Sequence, residues 1–169
     1  MVLEHQTRMT NLMTRVGYEM RLALAQQSAM NSAEGLPEGE LRESTSHRIA
    51  NACEELLRYL LFADETPLTA QVKGTSAYAV EFAAQGPRDH LGRSLRDFDL
   101  QTRMFRYPCS YLVYSKQFQH LPMVAKQYTE RRLREILTGK DQSKGFANLS
   151  AGDRQNILTI LQDTHVLAR

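Results

Sequence analysis

Along the first thirty positions apolar residues recur at steps of three and four. Met9, Leu12, Met13, Val16, Met20 and Leu24 share one face at 3.6 residues per turn, which predicts an amphipathic helix from Gln6 to about Gln27. The pattern sets in without a preceding turn, as expected of a piece of a longer chain. Ser, Gly and Pro then gather in "QSAMNSAEGLPEGE", so positions 28–37 read as a linker. A second long helix is predicted from Pro37 or Glu38 to Phe62, with Leu41, Thr45, Ile49, Cys53, Leu56 and Leu60 as its inward stripe. After a loop around Thr66-Pro67, Thr75 or Ser76 can cap a short helix through Ala84, closed by Gly86-Pro87.

Near the carboxy terminus Pro122 suits the first position of a helix reaching Thr138, with Gly139 just past its end. Ser150 and Asp153 form a capping-box pattern ahead of a helix to about Gln162 that buries Ile157, Ile160 and Leu161. The middle of the chain is harder. Ser94 and Asp97 give another box-like start, and Leu100, Met104, Tyr107, Tyr111, Tyr114 and Phe118 follow at alternating steps of four and three. That stripe passes through Pro108 in phase, which predicts one helix from about Leu95 to Gln119 kinked at the proline, or two helices nearly in line. The rival is a buried strand at "YLVYS", since Tyr and Val favour strands. The expected fold is therefore all-α, a single domain over 1–169 with five to six helices.

Composition is that of an ordinary globular chain, 42% hydrophobic and 24% charged, with no repeat. At 169 residues it can bury enough surface to fold without disulfide or metal. No apolar run approaches the roughly 18 residues of a transmembrane span, so no membrane insertion is expected, and the amino terminus has no signal-peptide core. Those two features place this stretch in the cytoplasm when taken alone. Charge is unevenly spread: residues 1–85 sum to −4 and residues 86–169 to +6. Such a split can mark an anionic partner of the carboxy half, or acidic and basic helices packed side by side. The interleaved charges of "YTERRLREILTGKD" suit a solvated helix face better than a nucleic-acid surface.

Candidate chemistry is sparse. Cys53 and Cys109 are separated by 56 positions and belong to no metal or redox spacing, so no metal or cofactor is expected, and whether the two pair stays open. Glu43 and His47, one helical turn apart with Glu40 nearby, lack a second ligand pair. Cys109 is the weak catalytic candidate, with no base nearby in sequence. The densest polar stretch is "GPRDHLGRSLRDFD", where Arg88, His90, Arg93 and Arg96 are the anion-binding candidates ahead of the Ser94 turn.

Two segments, Gly92-Arg93-Ser94-Leu95-Arg96 and Arg106-Tyr107-Pro108-Cys109-Ser110-Tyr111, resemble a group of bacterial proteins of no established activity. In that group the same two motifs are followed by a helix ending Asp-Thr-Lys-Pro; here His165-Val166 stand for the Lys-Pro. The resemblance covers about Pro67 to Thr164 and implies the carboxy-terminal portion of a longer protein, often one with an export signal. A cell-envelope location follows from the resemblance, and no catalytic residue does. The function expected from the residues is a non-catalytic helical module that binds another protein or part of a larger assembly. The alternative is a cysteine-dependent enzyme or redox-linked subunit using Cys109, with the loop at 86–99 holding an anionic substrate.

Overall fold

The computed structural model of the chain describes residues 1–37, 39–74 and 76–168. Six α-helices surround one core: α1 (Val2–Glu34), α2 (Glu43–Leu60), α3 (Tyr78–Ala84), α4 (Lys116–Gln119), α5 (Met123–Leu137) and α6 (Ala151–Asp163). Among the described residues there is no strand, only an isolated bridge between Phe98 and Phe105. None of the described helices is long and apolar enough to cross a membrane.

Helix α1 runs about 50 Å at 1.5 Å per residue and lies antiparallel to α2. Cross-links fix the register: Arg15 pairs with Glu55 and Arg48 with Glu19, while Arg48 also donates to Gln26. The core stripe of α2 is buried as its spacing requires, with Cys53, Leu56 and Leu60 fully enclosed. α5 packs across α2 and α6 across α5. At the α2–α5 contact Arg132 binds Glu54 at 2.6 Å, an acidic helix meeting a basic one. Ser150 caps α6 in a complete capping box with Asp153.

Two sequence expectations need correction. Positions 28–34 of the expected linker continue α1, because no glycine or proline intervenes before Gly35, which takes a φ of 65° and ends the helix. The extension also fastens the returning chain. Gln27 accepts from the Arg42 N–H at 2.9 Å and donates to the Glu40 carbonyl at 3.1 Å, and Asn31 accepts from Arg42 Nε at 2.8 Å. α2 accordingly starts at Glu43 rather than near Pro37, while Glu38, one expected start, and Thr75, one expected cap, lie outside the described residues.

The second correction is larger: the long helix kinked at Pro108 does not form. Ser94 and Asp97 make one arm of the box, the Ser94 N–H donating to Asp97 Oδ2 at 2.9 Å, but the Ser94 hydroxyl takes the Arg96 N–H instead, and the segment is a turn and not a helix. The chain then doubles back. Asp99 N–H donates to the Met104 carbonyl, and Arg106 N–H to that of Asp97. The Phe98 and Phe105 rings stack 5.3 Å apart on one side of this hairpin. Its tip is held by the Asp99 carboxylate, which accepts from the N–H groups of Gln101 and Thr102 and from the Thr102 hydroxyl. Local turn chemistry and an aromatic cross-strand pair outweigh helical periodicity. Pro108 sits in a tight turn, with the Cys109 N–H on the Tyr107 carbonyl at 2.7 Å. Ser110 then caps a 3₁₀ turn over Tyr111–Tyr114. Met104, Tyr107, Tyr111 and Phe118 are buried, as the spacing implied, along an irregular path.

Candidate functional site

The amino end of α1 meets the carboxy end of α2 and the loop after it, and between them lies a cleft of about 470 Å³. His5 forms part of its floor. It is only 3% exposed, and its ring stacks between Tyr59 (5.2 Å) and Phe62 (4.8 Å). Its Nε2 lies 2.7 Å from the hydroxyl of fully buried Ser110. That hydroxyl also accepts from the Leu112 N–H, so it bridges the imidazole and the start of the 3₁₀ turn. Burial lowers the His5 pKa to about 4, so the ring is neutral at neutral pH.

Phe62 owes its position to an unusual helix ending. It has φ of 53°, the left-handed conformation usually given to glycine. The Ala63 N–H reaches the Arg58 carbonyl and the Phe62 N–H that of Tyr59, as in a Schellman ending with phenylalanine in place of glycine. A side chain there costs on the order of 1–2 kcal/mol. In return the ring lies almost parallel to His5, at 17°.

The rim is charged. Glu4, Glu55, Asp64 and Glu65 face the cleft against Arg8 and Arg58. Arg58 is paired with Asp64, and Arg8 sits 4.9 Å over the Tyr59 ring. Glu65 accepts the Met104 N–H at 3.1 Å, yet partial burial still raises its pKa. Met1 and Met104 also line a second groove of about 350 Å³, which is mostly apolar. Val2, Leu3, Val72, Tyr78, Phe98 and Leu100 belong to its walls. Leu3 is 75% exposed, as is Val80 beyond the groove on α3, and Met1, Val72 and Tyr78 are exposed too.

The residues singled out from sequence lie elsewhere. Arg88 donates to the carbonyls of Gly92 (2.6 Å) and Ala83 (2.8 Å) and pairs with Asp97 at 3.2 Å. Arg93 binds Asp89 at 2.7 Å and Asn156 at 2.6 Å. The Arg96 guanidinium lies over the rings of both Phe82 (4.6 Å) and Tyr111 (4.4 Å), which meet edge to face at 5.1 Å. Gly86, at φ 110°, leaves space for the Arg96 stem, where a Cβ would come within 3.1 Å of it. His90 pairs through Nδ1 with Asp163, an acid that ends α6 where the helix dipole disfavours it. The motif segment around Gly92–Arg96 thus ties its own turn to α3 and α6.

Asp89, His90 and Asp163 bring donor atoms within 4.8 Å of one another, the one grouping among the described residues that could hold a metal. Its donors are heavily engaged. Burial alone would raise the Asp89 pKa, but the Arg93 backbone and guanidinium carry it below the usual carboxylate range. His47 and Glu43 lie 3.7 Å apart on the exposed face of α2. Cys109 is fully buried, and burial pushes its thiol pKa far up; Cys53, also buried and free, rises to about 11.

His5 and Phe62 escaped the sequence reading, which began the first helix at Gln6. The signal was present: His5 is in phase with Met9, Leu12 and Val16 on the buried stripe. The chain matches no protein-family model, no curated protein and no solved structure.

Proposed function

We propose that the chain is a non-catalytic helical module that docks a segment of another protein in the groove beside the start of α1. One observation supports the reading above the rest. Of the ten exposed large apolar side chains among the described residues, four, Met1, Leu3, Val72 and Tyr78, line a single apolar groove. A contiguous exposed apolar surface of this kind marks an interaction site more often than scattered apolar residues do. The groove walls are held by features built elsewhere in the fold: the Asp99 turn sets Leu100, and the stacked Phe98–Phe105 pair sets the floor. The alternative, a cysteine-dependent enzyme using Cys109, has less support, since that thiol is enclosed and its pKa is raised by burial.

The test starts from affinity purification of the tagged chain from its source cell, followed by measurement of its affinity for the purified co-isolated protein. Leu3→Glu with Val72→Glu alters two exposed positions of the groove wall, so folding and Tm should stay near wild type. The reading expects at least a tenfold loss of affinity. Unchanged affinity in this variant would refute the groove as the docking face.

A further inference from the structure

The groove and the cleft adjoin at Met1 and Met104, a two-part trough whose halves differ in chemistry. In the groove the walls are apolar: Leu3, Val72, Tyr78, Phe98 and Leu100. In the cleft four carboxylates face two guanidiniums, a side-chain charge of −2 with His5 neutral. The carboxylates are not equivalent. Glu55 is taken by Arg15 and Asp64 by Arg58. The Glu4 carboxylate has no ion-pair or hydrogen-bond partner among the described residues, and Glu65 accepts the Met104 N–H and feels the charge of Arg103, with no ion pair of its own. Tyr59 also lines the cleft.

Resting on the docking reading above, we infer that the partner segment carries bulky apolar side chains at one end and a lysine or arginine at the other. The apolar end fills the groove, and the basic side chain enters the cleft between Glu4 and Glu65. The physical reasons are separate for the two ends. Apolar walls reward removal of apolar surface from water and are indifferent to charge. Glu65 is partly desolvated and accepts one neutral donor, so a cation brought to its second oxygen gains more there than at a solvated surface. An acidic residue at the same place would meet like charge in a low-dielectric site, which gives the trough a direction as well as an affinity.

Three labelled amphipathic peptides serve as the probe, each with the same four leucines at helical spacing and ending in two lysines, two glutamines or two glutamates. Binding is followed by amide chemical shifts on the isotope-labelled full chain. The lysine peptide should bind at least tenfold tighter than the glutamate peptide, with shifts at Leu3, Tyr78, Glu4 and Glu65. In Glu4→Gln with Glu65→Gln that ratio should fall below threefold. Binding by all three peptides with equal affinity, lost in Leu3→Glu, would overturn the inference while keeping the docking reading. Absence of binding by every peptide, or shifts confined to other surfaces, would overturn both. Peptide-independent self-association that shifts the same amides would assign the trough to a second copy of the chain, and would overturn the inference as well.

Discussion

Replacing His5 by glutamine should flatten the acid limb of the stability curve. The imidazole is enclosed by Tyr59, Phe62 and Ser110, and burial lowers its pKa from 6.5 to about 4. In the unfolded chain it protonates near 6.5, so between pH 6.5 and 4 the unfolded state binds a proton that the folded state refuses. Stability therefore falls as pH falls through that window, and the loss is complete below pH 4. At about 1.4 kcal/mol per pH unit the total is about 3 kcal/mol. Other groups titrate in the same range. Glu65, with its pKa raised by burial, works in the opposite direction, while the lowered Asp89 and Asp99 also cost stability in acid. A difference between two proteins removes them. Urea unfolding of wild type and His5→Gln at steps from pH 7.5 to 3.5 gives that difference directly. Wild type should lose about 3 kcal/mol relative to the variant on going from pH 7 to pH 4. A difference that stays flat within about 0.5 kcal/mol would refute the burial argument and, with it, the placement of the start of α1.

Other expectations follow from single features. Ser150→Ala removes the cap of α6 and should cost about 1 kcal/mol in chemical denaturation, with no effect on partner binding. Asp99→Ala leaves two backbone N–H groups and a hydroxyl without their acceptor; it should cost about 1–2 kcal/mol and weaken docking by loosening Leu100 in the groove wall. Cys53 and Cys109 should react with a thiol reagent only at the rate of unfolding, and fast labelling of Cys109 in native buffer would contradict its enclosure.

What was legible in the sequence was local. The α6 box needs only Ser150 and Asp153 three positions apart, and the α2 stripe needs only one helix facing one core. The box appears as read, and so does the stripe from Thr45 to Leu60, while Leu41 falls ahead of α2 and is half-buried. The stretch from Leu95 to Gln119 failed because periodic burial does not require a helix. Met104, Tyr107, Tyr111 and Phe118 reach the core from a hairpin, a proline turn and two short helical turns. The deciding signal was Asp99, whose carboxylate organises the turn ahead of Leu100, a residue at φ 60°. The candidate site was less legible still. His5, Phe62, Tyr78 and Leu100 lie far apart in sequence and meet only in the fold, and Phe62 takes a conformation that its residue type does not suggest. The charge asymmetry between halves lies in the composition, and Arg132 on Glu54 is an ion pair that crosses from one half to the other.

The central claim is that a partner segment lies against the start of α1. Site-specific photo-crosslinking in the source cell tests it most directly, with a photoreactive residue at exposed Leu3 on the groove and, separately, at exposed Gln155 on α6. One discrete crosslinked product is expected from Leu3 that is absent from Gln155 and disappears in the Val72→Glu background. Equal products from both positions, or none from Leu3, would contradict it.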